Sequence, residues 1–151
     1  MKKKIRKRHK ILIIHGPNLH LLGKRETNIY GRFTLKELEK ILTVKARSLG
    51  VTLLSFQSNS EGAIVNRITK NDYDFLIINP AAYTHTSVAI RDALLGVAKP
   101  AIEVHISNIY KREDFRKKSL ISDIVLGVIT GLGKYSYLVA LEAANSLLSD
   151  I

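Results

Sequence analysis

The sequence predicts a doubly wound α/β fold, a five-stranded parallel sheet with helices on both faces. Three observations predict it. Short apolar runs alternate with stretches of helical periodicity, capping residues and glycines punctuate them, and polar clusters follow directly on the strand-like runs. No internal repeat and no second domain are evident.

Ile11–Ile14 reads as a buried strand ended by Gly16-Pro17-Asn18, a strong turn cluster. About fifteen residues of mixed polarity then run to Arg32, long enough to suggest a functional loop. Thr34-x-x-Glu37 is a capping box, and Leu35, Leu38, Ile41, Leu42 and Leu49 form one helical stripe that Gly50 stops. Val51–Gln57 is rich in strand formers, and Ser58-x-x-Glu61 predicts the cap of a helix carrying Ile64, Val65 and Ile68. Asp74–Asn79 is a continuous apolar run, as expected of a strand covered on both faces. A helix near Ser87–Val97, a strand at Ala101–His105, a strand at Ile124–Ile129 and a helix over Lys134–Leu148 complete the chain. The last helix places Leu138, Leu141, Ala144 and Leu148 on one stripe.

The composition excludes several classes. The chain has 151 residues and no cysteine, which removes disulfides and thiolate metal sites and fits a reducing cytoplasm. No apolar run approaches the roughly 18–20 residues of a membrane span, and Ile11–Ile14 is too short for a signal-peptide core. The net charge of +11 is concentrated at one end. Residues 1–10 hold seven of the 24 basic residues and no acid, which leaves 17 basic against 13 acidic residues, or +4, for the body. The expectation is a disordered basic arm over 1–10 and one catalytic domain over 11–151. A phosphate-binding tail is the sharper reading of the arm.

In open α/β sheets, ligands bind beyond the carboxyl ends of the strands. The segment Asn79–Ser87 lies there; Thr86 or Ser87 suits a helix cap, while His85 stands among small residues near a helix N-terminus, a setting that favours an anionic or polar ligand. Glu103 and His105 are two apart on a strand and so share a face. A carboxylate beside an imidazole either makes a structural pair or orients a proton donor. Arg25 and Tyr30 occupy the long loop, where charges and tyrosines are commonplace. The functional alternative is a phenolate base. A free phenol ionises near pH ~10, so its phenolate needs about 4 kcal/mol of preferential stabilisation at neutrality, more than one guanidinium readily supplies. Gly127, Gly131 and Gly133 lack dinucleotide-fingerprint spacing, and no pair among His9, His15, His20, His85 and His105 has metal-ligand spacing, so no metal is expected.

Together, GPNLHLLG (16–23), KRETNIYG (24–31), QSNSEG (57–62), NPAAYTHTSVAIRD (79–92), EVHISN (103–108), REDFRKKS (112–119) and GVITGLGKYSYLVAL (127–141) closely resemble the type II 3-dehydroquinate dehydratases. The resemblance runs from about Ile11 to the C-terminus. It implies a flavodoxin-like fold, no cofactor, and trans-elimination of water from 3-dehydroquinate to 3-dehydroshikimate in the shikimate pathway. It implies roles as well: Tyr30 as base, Arg25 as its activator, Asn18 as stabiliser of the enolate through an ordered water, His105 as acid and Glu103 as its partner. Asn79, His85, Arg116 and the backbone of Ile106 and Ser107 match the substrate-binding set; Arg112 and Asp92 match further site positions, Asp92 through a neighbouring subunit. A homo-oligomer, a dodecamer built from trimers, is implied too. The chain departs from the family pattern at His20, where asparagine is frequent, at Thr27, where proline is common, and at Ala81, where glycine is frequent.

Two rivals use the same features differently. A phosphate or nucleotide binder would use the strand ends without chemistry and give Tyr30 no task. A nucleic-acid binder led by the arm would bind with steep salt dependence.

Overall fold

A computed structural model describes residues 7–151. The arm expected over 1–10 therefore lies mostly outside the described residues. Lys10 belongs to the first strand, its amide bonded to the Asp74 carboxylate at 2.7 Å.

The strands are β1 (Lys10–His15), β2 (Thr52–Gln57), β3 (Phe75–Asn79), β4 (Ala101–His105) and β5 (Gly127–Thr130). All pair in parallel in the order β2-β1-β3-β4-β5, the flavodoxin-like order. The helices are a single turn α1 (Thr27–Tyr30), then α2 (Leu35–Leu49), α3 (Glu61–Thr69), α4 (Val88–Val97) and α5 (Tyr135–Ser149).

Side-chain alternation along the strands divides the core in two. Ile11, Ile13, Phe75, Ile77, Ile102 and Val104 face α2 and α5, meeting Leu38, Leu42, Leu141 and Ala144. Leu12, Ile14, Leu76 and Ile78 face α3 and α4, meeting Ile64, Ile68, Ile90 and Leu94. β1 and β3 are buried throughout their apolar residues, which is why both read as unbroken hydrophobic runs.

The capping box at Thr34 forms in both directions: the Glu37 amide donates to Thr34 Oγ1, and the Thr34 amide to the Glu37 carboxylate. Two expected boundaries shift. Ser60, not Ser58, caps α3, accepting from the Ala63 amide, while Ser58 Oγ accepts from the Ser60 amide. Between them, Asn59 Oδ1 takes the Asn18 amide at 3.0 Å, tying the end of β2 to the end of β1. β5 begins at Gly127 rather than Ile124. Ile124 and Val125 owe their apolar character to packing against the α3/α4 side of the core from an irregular segment, which hydrophobicity alone does not distinguish from a strand.

The chain runs from β1 out to β2 and then crosses to β3 on the other side of β1. That reversal opens a crevice above the carboxyl ends of β1 and β3. Gly16 is required where the two ends meet: its amide donates to the Asn79 carbonyl at 2.8 Å, and a Cβ there would stand 2.4 Å from the Pro80 carbonyl oxygen.

Candidate active site

The crevice is a cleft of about 670 Å³, measured out to its open mouth. Asn18, Arg25, Tyr30, Asn79, His85, His105, Ile106, Ser107, Arg112 and Arg116 all line it. Glu103 sits one layer behind, and Asp92 is exposed on α4, outside the cleft of its own chain.

The long loop reaches the cleft through local structure of its own. Buried Leu19 and Leu22 pin its start to the core, and α1 presents Tyr30 over the cleft. Tyr30 has two guanidiniums against its ring, Arg25 at 5.1 Å and Arg112 at 5.2 Å from the centroid. Arg112 Nη1 donates to the Tyr30 hydroxyl oxygen at 2.6 Å; Arg25 instead pairs with Glu26 at 2.8 Å. The bond to the Tyr30 hydroxyl thus comes from Arg112, while Arg25 lies against the ring.

His105 ends β4 and is buried against Glu103, with Nε2 2.7 Å from Glu103 Oε1. Glu103 is fully buried, and Ser119 Oγ lies 3.0 Å from each of its oxygens. A carboxylate accepts, so Nε2 carries a proton and Nδ1 is left without a protein partner among the described residues. Ser119 escaped sequence reasoning, because nothing local marks a serine sixteen residues from its partner.

The substrate-binding candidates surround these two. His85 Nδ1 donates to the Lys118 carbonyl at 2.7 Å, leaving Nε2 for the cleft. Arg116 is held by Glu113 at 2.7 Å. Guanidiniums at adjacent pairs lower the Glu26 and Glu113 carboxyls below their ordinary range, Arg25 for Glu26 and, after a bond to its own backbone, Arg116 for Glu113. Asn18 adopts a left-handed conformation at φ 67°, which short amide side chains tolerate. Asn79 is buried; its Oδ1 accepts the Ala81 amide at 3.0 Å and its Nδ2 donates to the Tyr137 hydroxyl at 2.9 Å.

Ala81 also lies in the left-handed region, at φ 53°, a conformation glycine adopts more readily. His20 is exposed and outside the cleft lining. Thr27 is the first residue of α1, a position where proline is well accommodated. Pro17, Leu19, Leu22, Ala82 and Ile109 add apolar walls that sequence reasoning did not single out, although the turn at Gly16-Pro17-Asn18 pointed to the place. Among the described residues, no three His, Asp or Glu side chains converge as metal ligands do, and no helix is long and apolar enough to cross a membrane.

A tyrosine against two arginines and a histidine on a buried carboxylate open onto one cleft at the switch point of the sheet. That combination places the chain among α/β enzymes that move protons at strand ends. The comparisons narrow the class. The chain matches the family model for dehydroquinase class II over residues 9–145, and it belongs to that family. It is 58% identical over 137 residues to the 3-dehydroquinate dehydratase of Bordetella avium (strain 197N), covering 89% of this chain and 95% of that protein. It is also 58% identical over 134 residues to the catabolic 3-dehydroquinase 1 of Aspergillus terreus (strain NIH 2624 / FGSC A1156), covering 87% of this chain and 88% of that one. The crystal structure of type II dehydroquinase from Butyrivibrio crossotus DSM 2876 superposes with a TM-score of 0.89 at 44% identity, covering 91% and 98% of the two chains.

Proposed function

We infer that the chain catalyses the type II dehydration of 3-dehydroquinate to 3-dehydroshikimate, as one catalytic domain from Ile11 onward acting in the cytoplasm. The observation that carries the site assignment is the pairing of Tyr30 with Arg112 and Arg25 in the same cleft as His105 on Glu103.

Tyr30, as phenolate, removes the proton from the carbon beside the substrate ketone. The electron pair moves into the carbon–carbon bond and onto the ketone oxygen as an enolate. Asn18, through a water, stabilises that oxygen, and a preorganised donor is worth most when the charge has just formed. The enolate then collapses, re-forming the ketone, making the ring double bond and expelling the hydroxyl on the neighbouring carbon. His105 supplies that hydroxyl with a proton, so it leaves as water. Trans geometry takes the proton and the hydroxyl from opposite ring faces, which suits a base and an acid carried by separate elements, α1 and β4.

Asn79, His85, Arg116 and the backbone at Ile106 and Ser107 hold the substrate's hydroxyls and carboxylate, the arginine through its forked geometry. The loop bearing Arg25 and Tyr30 closes as a lid. We assign the protein to a dodecamer of trimers in which Asp92 reaches a neighbour's site. Exposed Val88 and Leu95 on the same helix, 59% and 53% accessible, support a partner at that face.

The test is direct. Purified protein is mixed with 3-dehydroquinate, and the conjugated enone is followed by ultraviolet absorbance. Absence of turnover from neutral to mildly alkaline pH would reject the activity. Tyr30→Phe is expected to lower kcat by about 10²–10⁴-fold with KM little changed. Near-normal turnover in that variant would remove the phenolate from the mechanism.

A further inference from the structure

Behind the cleft, on the α2/α5 face of the sheet, a chain of polar groups runs from the surface to Asn79, and all of its members but Asn79 are unused by the proposed chemistry. Asn79 Nδ2 is 2.9 Å from the Tyr137 hydroxyl; that hydroxyl is 3.2 Å from His15 Nδ1; and His15 Nε2 is 3.4 Å from Ser55 Oγ and 3.5 Å from Glu39 Oε1. Ser55 Oγ also donates to Glu39 Oε1. His15 and Tyr137 are both completely buried, their rings 5.4 Å apart. Five residues from β1, α2, β2, β3 and α5 thus connect the half-exposed carboxylate of Glu39 to an amide that lines the cleft.

The direction of every bond in the chain can be fixed. The Ala81 amide can only donate, so the Asn79 atom facing it is Oδ1 and the atom facing Tyr137 is Nδ2. The Tyr137 oxygen therefore accepts from Asn79, and its own proton is free to go to His15 Nδ1. His15 Nδ1 then accepts that proton, and Nε2 carries the ring's own, directed at Ser55 and the Glu39 carboxylate. One donor follows another, Asn79 to Tyr137 to His15, whose Nε2 faces both Ser55 Oγ and Glu39 Oε1. Reversing the Asn79 amide would set two donors face to face at Ala81 and break the sequence at its first step.

We propose that Tyr137 and His15 are positioning residues for Asn79, locking the orientation of its amide so that the remaining Nδ2 proton and the Pro80–Ala82 turn meet the substrate in a fixed arrangement. The proposal rests on the reading of the cleft as the 3-dehydroquinate site. Asn79 serves twice, since the same Oδ1 that accepts from Ala81 holds the left-handed turn lining the cleft. Packing alone does not fix an amide, whose two ends have nearly the same shape. Hydrogen-bond polarity does, and here it arrives from the far side of the sheet.

The experiment combines kinetics with structure. Tyr137→Phe keeps the ring and removes the hydroxyl; it is expected to raise KM for 3-dehydroquinate at least tenfold with kcat within threefold of wild type. His15→Leu, which removes the acceptor, should reproduce that split, whereas His15→Asn, whose side chain sets an acceptor near the Nδ1 position, should restore KM to within threefold. If Tyr137 acts through Asn79, then Asn79→Ala with Tyr137→Phe is no worse than Asn79→Ala alone. A Tyr137→Phe variant with KM within twofold of wild type, or fully additive losses in the double variant, would overturn the proposal. A wild-type protein that neither turns over nor binds 3-dehydroquinate would reject the site reading instead. The crystal structure of Tyr137→Phe would then decide: Asn79 displaced or bridged by a new water supports the chain, and Asn79 unmoved overturns it.

Discussion

Two histidines end strands of the same sheet, His15 on β1 and His105 on β4, and each is buried beside a glutamate. They do different work. His105 takes its carboxylate from its own strand at 2.7 Å, spends one nitrogen on it, and keeps the other unbonded at the cleft. His15 takes its carboxylate from α2 at 3.5 Å, and both its nitrogens are engaged within the protein. The difference follows from strand alternation. His15 shares a face with Ile11 and Ile13 and so turns toward Tyr137 and α2, whereas His105 follows the parity of Ala101 and Glu103 on the opposite face. One histidine thus keeps a nitrogen available at the cleft, and the other, with both nitrogens held, is part of the frame.

The contrast is sharpest in kinetics. His105→Ala is expected to lower kcat by about 10²–10⁴-fold, the usual contribution of a general acid, while substrate affinity changes little. Single-turnover measurements across neutral pH check this, and a kcat reduced no more than by His15→Leu would erase the distinction. Glu103→Gln comes next. A charge-assisted bond is worth roughly 1.5–3 kcal/mol to the imidazolium, so kcat should fall on the order of tenfold or more. A variant with normal kcat would make the pair structural.

On the other side of the sheet the losses expected beside the rise in KM are in stability. His15→Leu leaves the Tyr137 hydroxyl without its acceptor, a cost of about 1–3 kcal/mol, visible as a lowered urea midpoint. Glu39 gives that half of the comparison a pH dependence. The hydrogen bond with His15, opposed by burial and aided by Ser55, holds its carboxyl below the ordinary 4.5. A carboxyl depressed in the folded state contributes stability that is present above 4.5 and lost as pH falls through the folded value. Urea midpoints taken between about pH 3 and 6 should therefore drop more steeply for wild type than for Glu39→Gln, and parallel profiles would show the carboxylate to be uncoupled. The smallest effect is expected at Ala81, where φ is 53°. Ala81→Gly relieves a left-handed alanine at the expense of a more flexible unfolded chain, for a net gain below about 1 kcal/mol by thermal melting.

Much of this was legible in the sequence. Alternating apolar runs and capping residues located the strands and helices, and the two-residue spacing of Glu103 and His105 dictated their pairing, because strand geometry is local. The shifted cap of α3 and the late start of β5 were not legible, since a serine has several local partners and an apolar run does not reveal whether it packs as strand or turn.

By itself, then, the sequence determined the doubly wound order of elements and gathered polar residues at the strand ends, and it made His105 with Glu103 a unit. Only the tertiary structure decided that Arg112, 82 residues from Tyr30, bonds its hydroxyl, and that Tyr137 and His15 stand behind Asn79. The physical reason is the same in each case. Spacing along a strand or helix fixes which neighbours share a face, but a hydrogen bond between distant elements exists only once the sheet is assembled and the helices have closed over it.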